Sequence, residues 1–265
     1  MTSENRTSHL TGVRGAELAW SGSGDGPTAI WAHGLTSSGF GQEAAGVFDW
    51  SPLTARHRLV RYDARGHGGS SGAPEPEHYT WPNLGLDLLE LLDQIAGDEQ
   101  VDGLGSSMGT ATLLYAVITK PERFRRLVLT TPPTMGAERA VHVRGYLEDA
   151  ALIERSGLAA YKEAFAAEPP PHVQSGLAQN PPAVEVTEPL LPSILRGAAR
   201  SDLPADSALT ALDLPVLILA WSGDSGHPLS TARHLADVIP GARLQIADTP
   251  MQLRTWAELA AEFLL

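Results

Sequence analysis

Val101-Asp102-Gly103-Leu104-Gly105-Ser106-Ser107-Met108-Gly109-Thr110 (VDGLGSSMGT) is the stretch on which the reading of this chain turns. Its first part, Val101–Ser106, is a short apolar run that reads as a buried strand. A helical pattern, Thr110–Thr119, follows at once. Between them stands Gly105-x-Ser107-x-Gly109. A serine at such a junction sits on a tight, strained strand-to-helix turn, and small neighbours on both sides let the backbone pass. The helix beyond points its free N–H groups and positive end at developing negative charge. Ser107 is therefore a candidate nucleophile. The competing reading is a plain Gly/Ser turn, and the flanking strand and helix disfavour it.

Working outward, Thr28–His33 (TAIWAH), Arg58–Asp63 (RLVRYD), Arg126–Thr131 (RLVLTT) and Val216–Trp221 (VLILAW) also read as buried strands. Nearly continuous apolar runs are what a parallel sheet covered on both faces requires. Helical patterns occupy Pro82–Ile95, Ser230–Ile239 and Gln252–Leu265. Pro82 suits a first helical turn and Gly97 a stop. Leu84, Leu88, Leu91, Leu92 and Ile95 recur at helical spacing and are assigned to the core. The alternation predicts a right-handed, mostly parallel α/β sheet with helices on both faces. Thr7–Val13 and Glu17–Trp20 read as an antiparallel entry hairpin, and Ser21–Gly26 (SGSGDG) as a turn.

One stretch breaks the alternation. Residues 134–212 contain no strong strand. The helical runs Ala140–Arg155 and Leu158–Ala167 alternate there with joints at Pro169–Pro171, Pro181–Pro182 and Pro189. Long connections in compact domains are usually functional. The expectation is one core made of 1–133 and 213–265, with 134–212 inserted as a helical cap. Leu147, Leu152, Ile153, Leu158 and Phe165 in that cap point to a largely apolar substrate.

Composition narrows the partners. The chain has 265 residues, 43% of them hydrophobic, enough for a single large core. No run of about 18 apolar residues marks a membrane span. The polar stretch Met1–Leu10 lacks the apolar core of a signal peptide, so a cytoplasmic protein is expected. With no cysteine, disulfides, thiolate metal ligands and a cysteine nucleophile are excluded. A net charge of −12 disfavours nucleic acid and anionic membranes. The nine histidines are scattered singly, so neither a metal nor another cofactor is expected, and the partner is a small-molecule substrate. Arg123, Arg125 and Arg126 read as a solvated turn.

Two further motifs sit at strand ends. His33-Gly34-Leu35 closes the strand Thr28–His33, where the Leu35 N–H can complete an oxyanion hole with that of Met108. His33 itself is read as a brace for the loop. Asp63-Ala64-Arg65-Gly66-His67-Gly68 closes the next strand and reads as a rigid turn held by the Asp63 and Arg65 side chains.

The order HG, DxRGHG, GxSxG, a helical insertion, and GD after an apolar strand resembles the α/β-hydrolase superfamily, over about Thr28 to Leu265. The resemblance implies an eight-stranded sheet, a helical cap and a Ser–acid–His triad in that chain order. Ser107 then matches the nucleophile, and Asp224 matches the acid. The family's histidine follows the last strand, here Ala242–Asp248. This chain continues Thr249-Pro250-Met251-Gln252-Leu253-Arg254, and no histidine occurs after His234.

His227, three residues after Asp224, is the replacement candidate, because an Asp-x-x-His turn can join carboxylate and imidazole. Its other reading is as the opening of the next helix, with Pro228 near the first turn. His67, His142 and His172 are lesser candidates. A serine at the elbow points to ester, lactone, thioester or C–C acyl chemistry. The missing base points instead to a hydrolase-like scaffold that binds a ligand or catalyses a cofactor-free lyase or isomerase reaction.

Overall fold

The computed structural model describes residues 8–167, 170–177 and 183–265. Thr7 of the entry hairpin and the joints Pro169 and Pro181–Pro182 lie outside the described residues. Eight strands form one sheet: β1 (His9–Val13), β2 (Ala16–Ser23), β3 (Thr28–Ala32), β4 (Arg58–Tyr62), β5 (Val101–Ser106), β6 (Phe124–Thr130), β7 (Val216–Trp221) and β8 (Arg243–Ala247). Their order is β1-β2-β4-β3-β5-β6-β7-β8. The β1/β2 and β2/β4 pairs are antiparallel and the other five parallel. The expected eight-stranded, mostly parallel sheet is present.

The helices are α1 (Gly41–Ala44), α2 (Trp81–Ile95), α3 (Met108–Thr119), α4 (Gly136–Ala167), α5 (Leu191–Ala199), α6 (Asp206–Leu209), α7 (Leu229–Val238), α8 (Pro250–Arg254) and α9 (Trp256–Phe263). Side chains alternate across a strand, and each central strand supplies both faces. Ile30, Val60, Leu127, Leu129 and Ile218 pack with Leu84, Leu88, Leu91 and Leu92 of α2. Their neighbours Trp31, Leu59, Val128, Leu217 and Leu219 pack with Phe48, Trp50, Trp256 and Ala260 on the other side. Hence the runs are largely apolar on both faces.

Several boundaries differ from the sequence reading. The expected helix Gln252–Leu265 is two helices, α8 and α9, broken at Thr255. α5 was not foreseen, because Pro192 marks its first turn and a proline reads equally as a joint. α4 is divided by Gly157, whose φ of 81° falls between the two predicted helical runs. The arginine cluster is no solvated turn. Arg125 Nη2 lies 2.7 Å from Asp102 Oδ2, with Arg126 and His57 also beside that carboxylate, while Arg123 is buried next to Asp93. Asp102 is fully buried in β5, and a buried carboxylate requires such partners.

The segment 134–212 leaves the sheet after β6 and returns at β7. Glu185 N–H donates to Thr36 O (2.8 Å) and Gly68 N–H to Glu185 O (2.8 Å), so the segment is tied to the loops after β3 and β4. At its stem the buried Arg139 guanidinium lies 4.0 Å from the Trp81 ring and donates to the carbonyls of Ala198 and Ser201. Ile153 and Leu158 pack with Tyr79, Tyr161, Leu191 and Ile194 in a separate cluster, while Leu147 is exposed. Part of the apolar character read as substrate-facing is therefore the segment's own core.

Candidate active site

Ser107 stands between β5 and α3 with φ 52° and ψ −112°, a left-handed conformation that non-glycine residues rarely adopt. The two motif glycines are needed for space. A Cβ on Gly109 would stand 1.9 Å from Ala32 O, and one on Gly105 would stand 2.6 Å from Gly109 O. Ser107 N–H donates to Thr130 O (3.1 Å), which ties the turn to β6. Strand ends at this edge of a parallel sheet bring their loops together.

The loop after β7 supplies the next two groups. His227 Nε2 lies 2.8 Å from Ser107 Oγ, and His227 Nδ1 lies 2.8 Å from Asp224 Oδ2. A carboxylate only accepts, so Nδ1 carries the proton and Nε2 accepts from the serine hydroxyl. Asp224 Oδ2 also accepts from Trp221 Nε1 (2.7 Å), and Oδ1 from the N–H groups of Gly226 (2.8 Å) and His227 (3.3 Å). Burial pushes this carboxyl upward. The charge and hydrogen bond of His227, with those from Trp221 and Gly226, outweigh burial and hold it well below the usual carboxylate range. His227 precedes α7, whose N-cap is Pro228, so it belongs to the loop and not to the helix.

Two amides face no partner. Among the described residues, neither Leu35 N–H nor Met108 N–H donates a hydrogen bond. Met108 opens α3, where backbone donors are free by construction. A Cβ on Gly34 would lie 3.6 Å from Ser107 Cβ, so the β3 loop passes beside the serine. His33 braces that loop: Nδ1 donates to Gly34 O (2.8 Å) and Nε2 accepts from Ala64 N–H (2.9 Å). Gln42, not singled out in the sequence, accepts from Gly34 N–H (3.1 Å) and donates to Ser106 Oγ (3.2 Å), which binds the loop to the end of β5. No local motif announces it.

The other candidate histidines are bonded to groups other than Ser107. His67 is fully buried, and its Nδ1 donates to Arg65 O (2.9 Å). His142, on α4, reaches Ser225 O (3.1 Å), and His172 lies beside Ser175. Asp63 accepts from Gly39 and Gly69 N–H (2.8 Å each), and Arg65 grips Asp87 (2.7 and 2.8 Å), which makes the 63–68 turn rigid. Two cavities of about 420 and 630 Å³ are lined by residues that include none of Ser107, Asp224 or His227. Among the described residues no cluster of three or more His, Asp or Glu has metal-ligand spacing, and no helix is long and apolar enough to cross a membrane.

The bracing histidines make the loops acid-sensitive. Burial lowers His33 to about 4, while burial and then His33 itself, 5.1 Å away between ring centroids, lower His67 to about 3. Both ordinarily titrate near 6.5. Between those values the unfolded chain binds protons that the folded chain does not, so stability is complete above pH 6.5 and falls as pH drops toward 4. The loss is on the order of several kcal/mol. Urea midpoints measured from pH 7.5 to 4.5 should decline steadily, and His67→Asn should flatten the decline. A level profile in the native protein contradicts the assignment.

A family model described as alpha/beta hydrolase fold matches residues 30–250. The putative carbamate hydrolase RutD of Caulobacter sp. strain K31 is 29% identical over 237 residues, covering 84% of this chain and 84% of that protein. The 3-oxoadipate enol-lactonase 1 of Acinetobacter baylyi is 33% identical over 114 residues, 42% of this chain and 40% of that one. Among solved structures, a thermophilic esterase from Thermogutta terrifontis superposes with a TM-score of 0.77 at 19% identity, covering 98% of both chains, which speaks to the fold. With the sheet order, the elbow and this match over most of its length, the chain belongs to the alpha/beta hydrolase fold family.

Proposed function

We propose that the protein is a serine hydrolase that cleaves an acyl–heteroatom bond of a small molecule, with Ser107 as nucleophile, His227 as base and Asp224 as the acid that orients it. The observation that carries this reading is the continuous chain Ser107 Oγ–His227 Nε2, His227 Nδ1–Asp224 Oδ2, at 2.8 Å in each link. Ser107 Oγ attacks the acyl carbon while its proton passes to Nε2. The carbonyl oxygen, now negative, takes the Leu35 and Met108 N–H groups. The imidazolium returns the proton to the leaving group, and water, activated by the same ring, releases the acid and frees Ser107.

Esters, lactones and thioesters fit this chemistry, as do carbamates, which share the carbonyl–heteroatom bond. The relatives named for carbamate and enol-lactone hydrolysis support that range. C–C acyl cleavage needs a carbon leaving group and gains no support from them. Residues 134–212 act as a lid in this reading. Their ties to Thr36 and Gly68, and the packing of Leu35 against the lid's own cluster, support a cover that excludes water and orders substrate. Against a non-hydrolytic scaffold, whose case is a serine without a base, the 2.8 Å contact of His227 Nε2 with Ser107 Oγ supports the hydrolytic reading.

A fluorophosphonate tests the proposal. Native protein should be labelled rapidly, at one equivalent, on Ser107. Absence of labelling in folded native protein sinks the reading, since a serine without an activating base does not react at that rate.

A further inference from the structure

In the arrangement described above, acid and base share one short loop, so their mutual alignment is local. That leaves a second problem, the registration of the loop as a whole against Ser107 on β5. Asp224 accepts four hydrogen bonds. Two come from loop N–H groups, of Gly226 and His227, and a third from the His227 ring. All three donors travel with the carboxylate if the loop moves. The fourth, Trp221 Nε1 at 2.7 Å, belongs to the last residue of β7 and therefore to the sheet.

Trp221 is itself clamped. It is 3% exposed, stacks on Trp256 at 5.6 Å and 7°, and stacks on Phe48 at 6.2 Å and 16°. Its ring also stands perpendicular to that of His227, 6.2 Å away. Two other tryptophans of the same aromatic layer differ in one respect. Trp31 and Trp50 are equally buried, but their indole N–H groups have no partner. Burial in that layer does not by itself supply an acceptor for an indole, and Trp221 alone of these three has a carboxylate.

We propose that Trp221 is a positioning residue: its indole N–H, held by the aromatic layer, fixes the Asp224 carboxylate and with it the whole Asp224–His227 loop relative to Ser107. The inference rests on the serine-hydrolase reading for its catalytic consequence, while the tether itself is a property of the fold. An indole in place of a mobile donor such as lysine has a physical advantage. It is neutral and rigid, so it orients Oδ2 without competing as a charge for the imidazolium. The stacking partner Trp256 opens α9 and holds the Trp221 ring in the layer.

The test compares Trp221→Phe with Trp50→Phe. Each variant removes an indole N–H and the same ring volume from one aromatic layer, and only the first removes a hydrogen bond. With p-nitrophenyl acetate as probe, Trp221→Phe should lower kcat by about 10- to 100-fold, the scale of a misplaced catalytic group, with KM changed less than about twofold. Trp50→Phe should leave kcat within about twofold of native. The downfield proton resonance of His227 Nδ1–H, identified by its loss in His227→Ala, should move or broaden in Trp221→Phe and stay in place in Trp50→Phe. Equal kcat in the two variants, or an unmoved resonance in Trp221→Phe, overturns the proposal. The resonance reads the tether without turnover. A failure of the hydrolase reading would show as unchanged turnover in Ser107→Ala, and it is thereby separated from a failure of this one.

Discussion

Ser107→Ala lowers turnover of p-nitrophenyl acetate by on the order of 10³-fold or more and leaves the fold intact. The magnitude follows from removing the atom that forms the bond to the acyl carbon. What remains is the binding contribution and the free amides of Leu35 and Met108. The stability expectation follows from what the side chain touches. Its hydroxyl is recorded in one hydrogen bond, to His227 Nε2, and Ala tolerates the same strained φ of 52° no worse than Ser does. Circular dichroism and thermal unfolding of the variant should match native protein. Retention of full activity in a correctly folded Ser107→Ala protein would falsify the nucleophile assignment.

His227→Ala produces a loss of the same order, and the double variant Ser107→Ala/His227→Ala is no worse than either single one, because the members act as a unit. The native protein should also gain activity from acidic toward neutral pH, since only the neutral ring accepts the serine proton. Asp224, held well below the usual carboxylate range, stays ionised over that range, so its own protonation does not set this limb. Residual activity in His227→Ala should lack the limb. A limb that persists unchanged in that variant assigns the base to another group. His67, fully buried with its Nδ1 on Arg65 O, and His142, bonded to Ser225 O, are not placed to inherit the role.

The elbow and the central strands were legible because local sterics write them into residue type. Gly105 and Gly109 are glycines because a Cβ would collide with Gly109 O and Ala32 O, and such constraints leave a motif. The strands were legible because burial on both faces leaves few polar positions, Arg61 and Asp102 among them. Asp-x-x-His was legible as a spacing, but its reach to Ser107 spans 120 positions of chain and is a tertiary fact. The same separation hid Gln42, whose partner Ser106 is 64 residues away. Trp221 was hidden for another reason: in an apolar strand an indole reads as core, and its single polar atom carries no sequence signature. Arg125 and Arg126 read as solvated because their partner Asp102 lies more than 20 positions away on β5, and Arg123 because its partner Asp93 sits on α2, pairings no local pattern shows. α5 was missed because Gly197 argues against a helix locally, while Pro192, in its first turn, reads equally as a joint. Gly197 is there because a Cβ would meet Tyr79 at 2.6 Å, a requirement of packing that propensity cannot show.

Under the proposed mechanism, acid and base sit within four consecutive residues, 224–227, and that changes what the chain can survive. Where the two groups come from separate loops, every insertion or slip between them is a threat to chemistry, and the intervening helix and strand must keep their length. Here α7, β8 and the turn at Thr249 can lengthen or drift while the pair stays whole, provided Leu253 and Trp256 remain buried. In that mechanism, the acid and base together form a cassette. Exchanging one loop would transplant both of its members into a related scaffold, or remove both at a stroke.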